Sequence, residues 1–262
     1  MHQDPSVGGQ LRQWRQRRRM SQLDLAAEAE LSTRHLSFVE TGRARPSRDV
    51  VARLGAVLDL PLRHRNELLL AAGYAPDFPE RALDESAVSG ARELVQRILD
   101  CHMPFPSLAV DRHWHLVASN AAVAALLAGV APELLQPPIN VLRLSLHPAG
   151  LAPQIVNLGE WKRHVLERLR RQVEQSADPV LEALAEELRQ FPAPAAKGPA
   201  AAASPIAIPL ILDTPAGRLT FLSITTMFGT PIEVTLSELA IESFFPADGE
   251  TAARLAQIAA AL

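Results

Sequence analysis

The sequence predicts a multidomain chain: an all-α head of five short helices, then an α+β body. Three observations carry this. Up to residue 76, apolar residues recur at helical spacing between serine, proline and glycine stops. From Phe105 onward, short strand-like runs alternate with longer helical ones. The charge also changes sign along the chain. Residues 1–75 hold twelve arginines against eight acids, a balance of +4, whereas the remainder carries fourteen basic and twenty-one acidic residues, −7. A length of 262 residues allows two cores. The expected division is 1–76 for the head, 77–86 for a linker rich in proline and acids, and 87–262 for the body.

Each helix of the head has its own signals. Leu11 and Trp14 mark the apolar edge of the first, with Arg12, Arg15 and Arg17 to Arg19 around it. Gly8–Gly9 reads as a flexible lead-in. Ser21 is a cap for the second helix, which buries Leu23, Leu25, Ala26 and Ala29 and holds Asp24 in its first turn. Glu30–Leu31 form the break. Ser32 caps the third helix, Leu36 and Val39 face inward, and Gly42 suits the left-handed position that closes it. Ser47 caps a fourth helix, with Val50, Val51, Leu54 and Leu58 inward. Pro61 opens a fifth. The second and third helices are joined so tightly that they must cross steeply. In such a helix-turn-helix the first lies across a DNA backbone, and the second offers its N-terminal residues to the major groove. A basic head on an acidic body also suits a polyanionic partner. The plainer alternative is a helical bundle with a solvated arginine face.

From Ser21 to Ser47 the chain reads S-Q-x-x-L-A-x-x-A-x-x-S-x-x-x-L-S-x-x-E-x-G-x-x-x-P-S. On this pattern residues 7–73 closely resemble the Cro/phage-repressor type, the XRE family, of helix-turn-helix domains. The resemblance implies a double-stranded DNA operator read by a homodimer. It places Gln22 on a phosphate, and Ser32, Thr33, Arg34, Ser37 and Phe38 along the groove-facing helix. Arg34 suits a bidentate guanine contact, and Thr33 a thymine methyl or a phosphate. Phe38 replaces a residue commonly polar in phage repressors, leaving open a thymine contact or a dimer contact. Arg43 and Arg45 are implied phosphate ligands. Arg15 and Glu40 fall where the family forms a buried structural ion pair.

The body reads in order as a helix to Leu99, strands Phe105–Asp111 and His113–Ser119, and a helix from Ala121 that Asn120 can cap. Helices Trp161–Glu174 and Pro179–Phe191 follow, then a low-complexity loop to Pro205. Strands Ile206–Asp213, Arg218–Phe228 and Ile232–Glu242 come next, and a last helix from about Gly249. Arg34 to Pro76, ending in RHRNELLLAAGYAP, resembles the MmyB-like transcription regulators. So do Pro104–Asn120, Asn140–Leu151, Phe228–Pro231 and Glu242–Asp248. That resemblance covers almost the whole chain. It implies a PAS-like sensor domain that binds a small apolar effector, a fatty acid or related lipid. An acidic head on such a ligand would want a cation or a hydrogen-bond donor. Asn120, Arg143 and His147 are the candidate anchors, and Trp161 a candidate wall. Each also has a structural reading as a cap, turn or core residue.

Other chemistry is not suggested. The lone Cys101 excludes an internal disulfide framework and a multi-cysteine zinc site. His113 and His115 share a strand face, but no third ligand is visible, so neither a metal nor any cofactor is expected. No nucleophile elbow, Walker loop or dinucleotide fingerprint occurs, so no catalytic residue is assigned and no enzyme is expected. The longest apolar run, Ala121 to Ala131, falls short of the roughly 18 residues needed to cross a bilayer. The Arg17–Arg19 run lacks the apolar stretch of a signal peptide. A cytoplasmic protein without a membrane partner is expected. The rival readings are a constitutive repressor whose body only dimerises, and an enzyme acting on a lipid-like substrate with a DNA-targeting head.

Overall fold

A computed structural model describes residues 6–81, 89–196, 208–229 and 233–261. The chain divides into two units, Met1–Arg81 with Thr230–Ser237, and Ala82–Gly229 with Glu238–Leu262.

The first unit holds α1 (Val7–Arg17), α2 (Gln22–Glu28), α3 (Thr33–Glu40), α4 (Arg48–Val57) and α5 (Leu62–Ala71). Ser6, Ser21, Ser32 and Ser47 each accept an amide hydrogen bond at the start of a helix, and Ser21 and Asp24 complete a reciprocal capping box. Helices this short are marginal alone in water. Burial holds them: Leu11, Leu25, Leu36, Val39, Leu54, Leu58 and Leu68 are wholly enclosed, each worth about 1.5–3 kcal/mol. Leu23, read from its spacing as inward, is instead exposed.

Gly8 and Gly9 are not a flexible lead-in. Both are buried in α1. A Cβ on Gly8 would lie 2.4 Å from the Val39 carbonyl oxygen and 2.7 Å from that of Glu40. Only glycine lets α1 approach the end of α3 so closely.

Residues 77–81, read as linker, fold onto α5. The buried Asn66 accepts from the amides of Asp77 (3.0 Å) and Phe78 (3.1 Å) and donates to the Phe78 carbonyl (2.7 Å). Arg48 pairs with Asp77, and Arg63 with Glu80. The asparagine of the RHRN stretch is thus a backbone clamp. The remaining expected linker residues 82–86 lie outside the described residues.

In the second unit, α6 (Ser89–Asp100) precedes β1 (Ser107–Val110) and β2 (Leu116–Ser119). Then come α7 (Ala121–Leu126), α8 (Val141–Leu146), α9 (Leu158–Ser176) and α10 (Pro179–Gln190). Next are β3 (Leu210–Thr214) and β4 (Gly217–Met227), then α11 (Val234–Ser237), β5 (Ala240–Pro246) and α12 (Gly249–Ala259). The strands form one antiparallel sheet in the order β2-β1-β5-β4-β3, an α+β, PAS-like arrangement. β1 is buried along its whole length. Leu108 and Val110 join the large core with α7 to α10, while Ala109 joins a smaller cluster with Val95 and Leu99 of α6. Both faces of β1 are therefore covered.

Two expected elements differ. The expected last strand Ile232–Glu242 is not continuous over its described residues: 233–237 group with the first unit as α11, the Val234 amide bonding the Pro79 carbonyl at 2.9 Å, and β5 begins at Ala240. Residues 230–232, and 197–207 of the expected loop and third strand, lie outside the described residues. His113 sits in a turn, while His115 makes a single β-bridge to Asn140 just before β2. The Asp111 carboxylate accepts both of their amides at 2.8 Å, and Trp114 takes φ 67°.

Gly8→Ala is expected to destabilise the chain by about 1–3 kcal/mol, because packed backbone must move. A urea unfolding curve with unchanged slope and a lowered midpoint is the check.

Candidate nucleic-acid interface and ligand cavity

α2 ends at Glu28; just past it Glu30 takes φ 53°, and the Leu31 amide bonds back to the Ala26 carbonyl at 2.8 Å. Two residues later α3 begins. Gly42, at φ 72°, closes it, with the Arg43 amide on the Phe38 carbonyl at 2.8 Å. Between these stops, Leu36, Val39 and Glu40 face inward, while Thr33 and Arg34 are exposed.

The inward charge is paired. Arg15 grips Glu40 with two hydrogen bonds, 2.7 and 2.9 Å, and donates a third to the Met20 carbonyl at 3.0 Å. The hydrogen bond to Glu40 leads the interactions that hold the Arg15 proton more firmly than usual. Gln22 donates to the same carboxylate at 2.8 Å. The first turn of α2, the end of α1 and the end of α3 thus meet on one carboxylate.

The outward residues divide into two groups. Ser32 spends its hydroxyl on the His35 amide (3.1 Å), and Ser37 is half-buried. Arg34 lies over the Phe38 ring, 5.3 Å from its centroid. The sequence left Phe38 between DNA and a partner chain; here it braces an arginine of its own helix. Arg43 is exposed. Arg45 is already engaged, donating twice to the Ala72 carbonyl (3.1 and 2.9 Å) and lying 5.5 Å from the Tyr74 ring centroid. That contact was invisible in sequence because it joins residues nearly thirty positions apart.

The second unit encloses a nearly apolar cavity of about 110 Å³. Its walls come from Leu108 and Leu116 of β1 and β2, Val123 and Leu126 of α7, Leu142 and Leu144 of α8, and Leu210 and Leu212 of β3. Trp161, His164 and Arg168 enter from α9, and Glu242 and Phe244 from β5. At the polar end, Arg168 pairs with Glu242 and donates to the Thr225 hydroxyl at 2.7 Å; Thr225 in turn donates to Glu242 at 2.7 Å. The guanidinium also lies 4.4 Å from the Trp114 ring centroid. Trp161 donates its indole N–H to Ser145 at 2.9 Å and faces the His164 ring, centroids 5.6 Å apart. Burial and then the charge of Arg168 and Arg171 hold His164 below the usual histidine pKa, against an opposing pull from Glu242.

Of the four residues expected at a ligand, Trp161 lines this cavity. The other three are engaged elsewhere. Asn120 is core: its side chain accepts from the Ser107 amide (3.2 Å) and donates to the Leu99 (3.0 Å) and Phe105 (2.8 Å) carbonyls, and it makes no side-chain cap. Arg143 holds Glu187 in a bidentate pair of 2.6 and 2.7 Å. His147 accepts from the Ala149 amide at 3.0 Å and faces Phe191. His164, Arg168 and Glu242 were missed. The available signal was the i, i+3, i+7 spacing of Trp161, His164 and Arg168 on one helix face.

His113 and His115 do have an acidic neighbour. Asp111 lies with them, the ligand-type atoms of the three within 4.8 Å of one another. Each imidazole already meets a carboxylate, His113 that of Asp178 (2.8 Å) and His115 that of Asp111 (3.0 Å). No helix among the described residues is long and apolar enough to cross a membrane.

A helix-turn-helix head followed by a cavity-bearing α+β body defines a DNA-binding regulator with a ligand-binding domain. Residues 6–68 match the helix-turn-helix domain family, and residues 91–258 match the MmyB-like transcription regulator ligand binding domain. The chain belongs to this MmyB-like family of transcription regulators. A Methanoculleus marisnigri protein named "Putative HTH-type transcriptional regulatory protein" is 34% identical over 116 residues, 42% of this chain and 37% of that protein. The match therefore spans well under half of that relative's length.

Glu40→Ala leaves Arg15 buried and unpaired, and is expected to cost about 3–5 kcal/mol, read by chemical denaturation. His164 gives a pH signature. Its folded-state pKa lies below the unfolded value of about 6.5, so the unfolded chain takes up the proton first. The stability contributed by neutral His164 is present above about pH 6.5 and lost as the pH falls. His164→Gln should flatten that limb of a melting-temperature profile between about pH 7 and pH 5.

Proposed function

We propose that the chain is a sequence-specific, ligand-responsive transcription regulator that binds its operator as a homodimer. The observation that carries the reading is the division within α3: Thr33 and Arg34 face solvent at its N-terminal end, while Leu36, Val39 and Glu40 anchor it. A helix held in this way presents its first turn to the edges of bases in a major groove. Arg34 and Thr33 read sequence, Ser37 and the Phe38 edge lie one turn further along, and Gln22 and Arg43 set register on phosphates. Ser32 acts through its cap. Arg45, tied to Ala72, contributes positive charge to the same region. A two-fold site with half-sites about 34 Å apart suits a dimer of such heads.

The C-terminal domain senses a small apolar effector in the cavity and returns it unchanged. Fatty acids, the class suggested by family resemblance, and uncharged apolar molecules are the two candidates. Control requires that the effector bind the DNA-competent and incompetent states unequally. In this reading the protein works in the cytoplasm, without a membrane partner.

Two measurements test the reading. On an operator recovered by selection from random duplexes, Arg34→Ala should weaken binding by about 1–3 kcal/mol and relax preference at one base position. Wild-type affinity should fall steeply with salt, as expected of a protein that neutralises several phosphates. Binding indifferent to salt would remove the electrostatic half of the proposal. For the sensor, Val123→Phe places a ring in the cavity. It should abolish the effector's influence on operator affinity while leaving affinity without effector unchanged. A response that survives the filled cavity would move the effector site elsewhere.

A further inference from the structure

The polar end of the cavity restricts what can bind there. This step rests on the cavity being the effector site. The cation at hand, Arg168, is already paired with the Glu242 carboxylate and donates to Thr225, and Glu242 is only 4% exposed. An incoming carboxylate must displace Glu242, stranding a buried negative charge, or lie beside it and be repelled. A carboxylate ligand would therefore lose most of what the guanidinium offers.

The remaining polar groups suit a different head. Ser145 accepts the Trp161 indole N–H, and among the described residues nothing accepts its hydroxyl proton. His164 also faces that indole and lines the cavity, with no hydrogen bond to its ring among the described residues. Its lowered pKa leaves it a neutral imidazole near pH 7, with one donor and one acceptor. Neutral donors and acceptors pair with a neutral oxygen. Size adds a second limit. The cavity measures about 110 Å³, comparable to the engineered cavity of ~150 Å³ that takes benzene in another protein. A skeleton on the order of six carbons fits that space.

We propose that the cavity takes a compact, uncharged ligand, a skeleton of roughly six carbons bearing one alcohol, ketone or ester oxygen held by Ser145 and His164, and that the Arg168–Glu242 pair selects against carboxylates. Glu242 is the specificity-determining residue. It stands on β5 opposite Leu108 of β1, on the strand face shared with Ala240 and Phe244, so its carboxylate is fixed by the sheet.

Matched probes decide this in the full-length protein at pH 7.5: cyclohexane, hexan-1-ol and hexanoate. Titrations are followed by fluorescence of Trp114 and Trp161, which both line the cavity, and repeated by calorimetry. Hexan-1-ol should bind at least about tenfold more tightly than hexanoate, about 1.4 kcal/mol. Glu242→Gln should raise hexanoate affinity by at least about tenfold, with hexan-1-ol little changed. Ser145→Ala should weaken hexan-1-ol and leave cyclohexane unchanged; this arm decides the outcome even if the Glu242 variant does not fold. Hexanoate binding as well as hexan-1-ol to the native protein would overturn the neutral-head inference and leave the cavity as effector site. Failure of all three probes to bind would overturn both.

Discussion

One buried carboxylate organises the helix-turn-helix head. Glu40, at the end of α3, receives two bonds from Arg15 of α1 and one from Gln22 at the start of α2. Three helices that each bury too few residues to stand alone are thereby pinned at a single point. The apolar core would tolerate small rotations of α3, since Leu36 and Val39 can slide against other methyl groups. A bidentate guanidinium pair fixes direction as well as distance, so it does not. Gly8 works with it, because the same end of α3 that carries Glu40 also carries the carbonyls against which α1 lies. The outward direction of Arg34 follows from this inward anchor.

The body solves a different problem. Its sheet is antiparallel, yet β1 is covered on both faces, by α6 on one side and by the α7–α10 layer on the other. The helical layer does not close fully on the sheet, and the space left is the cavity. Almost all of its wall is apolar, so the few polar groups that reach it carry the discrimination. The Arg168–Glu242 pair is neutral as a unit. It braces α9 against β4 and β5 through Thr225, which makes structure and selectivity share the same atoms.

Legibility in the sequence followed the range of the interaction. The five helices of the head could be read because caps, apolar spacing and left-handed stops act within a few residues: Ser21 with Asp24, Ser32 with His35, Gly42 after Glu40. Two alternating or helical runs in the body were equally plain, in β4 and α10. What failed were roles set by partners far along the chain. Gly8–Gly9 reads as a loose entry until α3 lies against it. Arg45 reads as a phosphate ligand until Ala72 and Tyr74 arrive. Asn120 looks like a cap, and its side chain instead bonds three backbone groups of its own core.

The sequence by itself determined the five helices of the head, the division into a basic helical head and an acidic α+β body, and the exposed face of α3 at Thr33 and Arg34. These depend on local spacing and charge, which are properties of the chain. Only the tertiary structure decided which polar residues line the cavity. Arg143 and Arg168 are both arginines on helices, and the one local difference, the alignment of Arg168 with Trp161 and His164 on one face, does not say what that face will meet. Glu187 takes the first at the outside of the helical layer, and the sheet places Glu242 and Thr225 beside the second. A helix residue's role depends on the face its helix turns to a sheet. That face is set by apolar burial summed over elements a hundred residues apart.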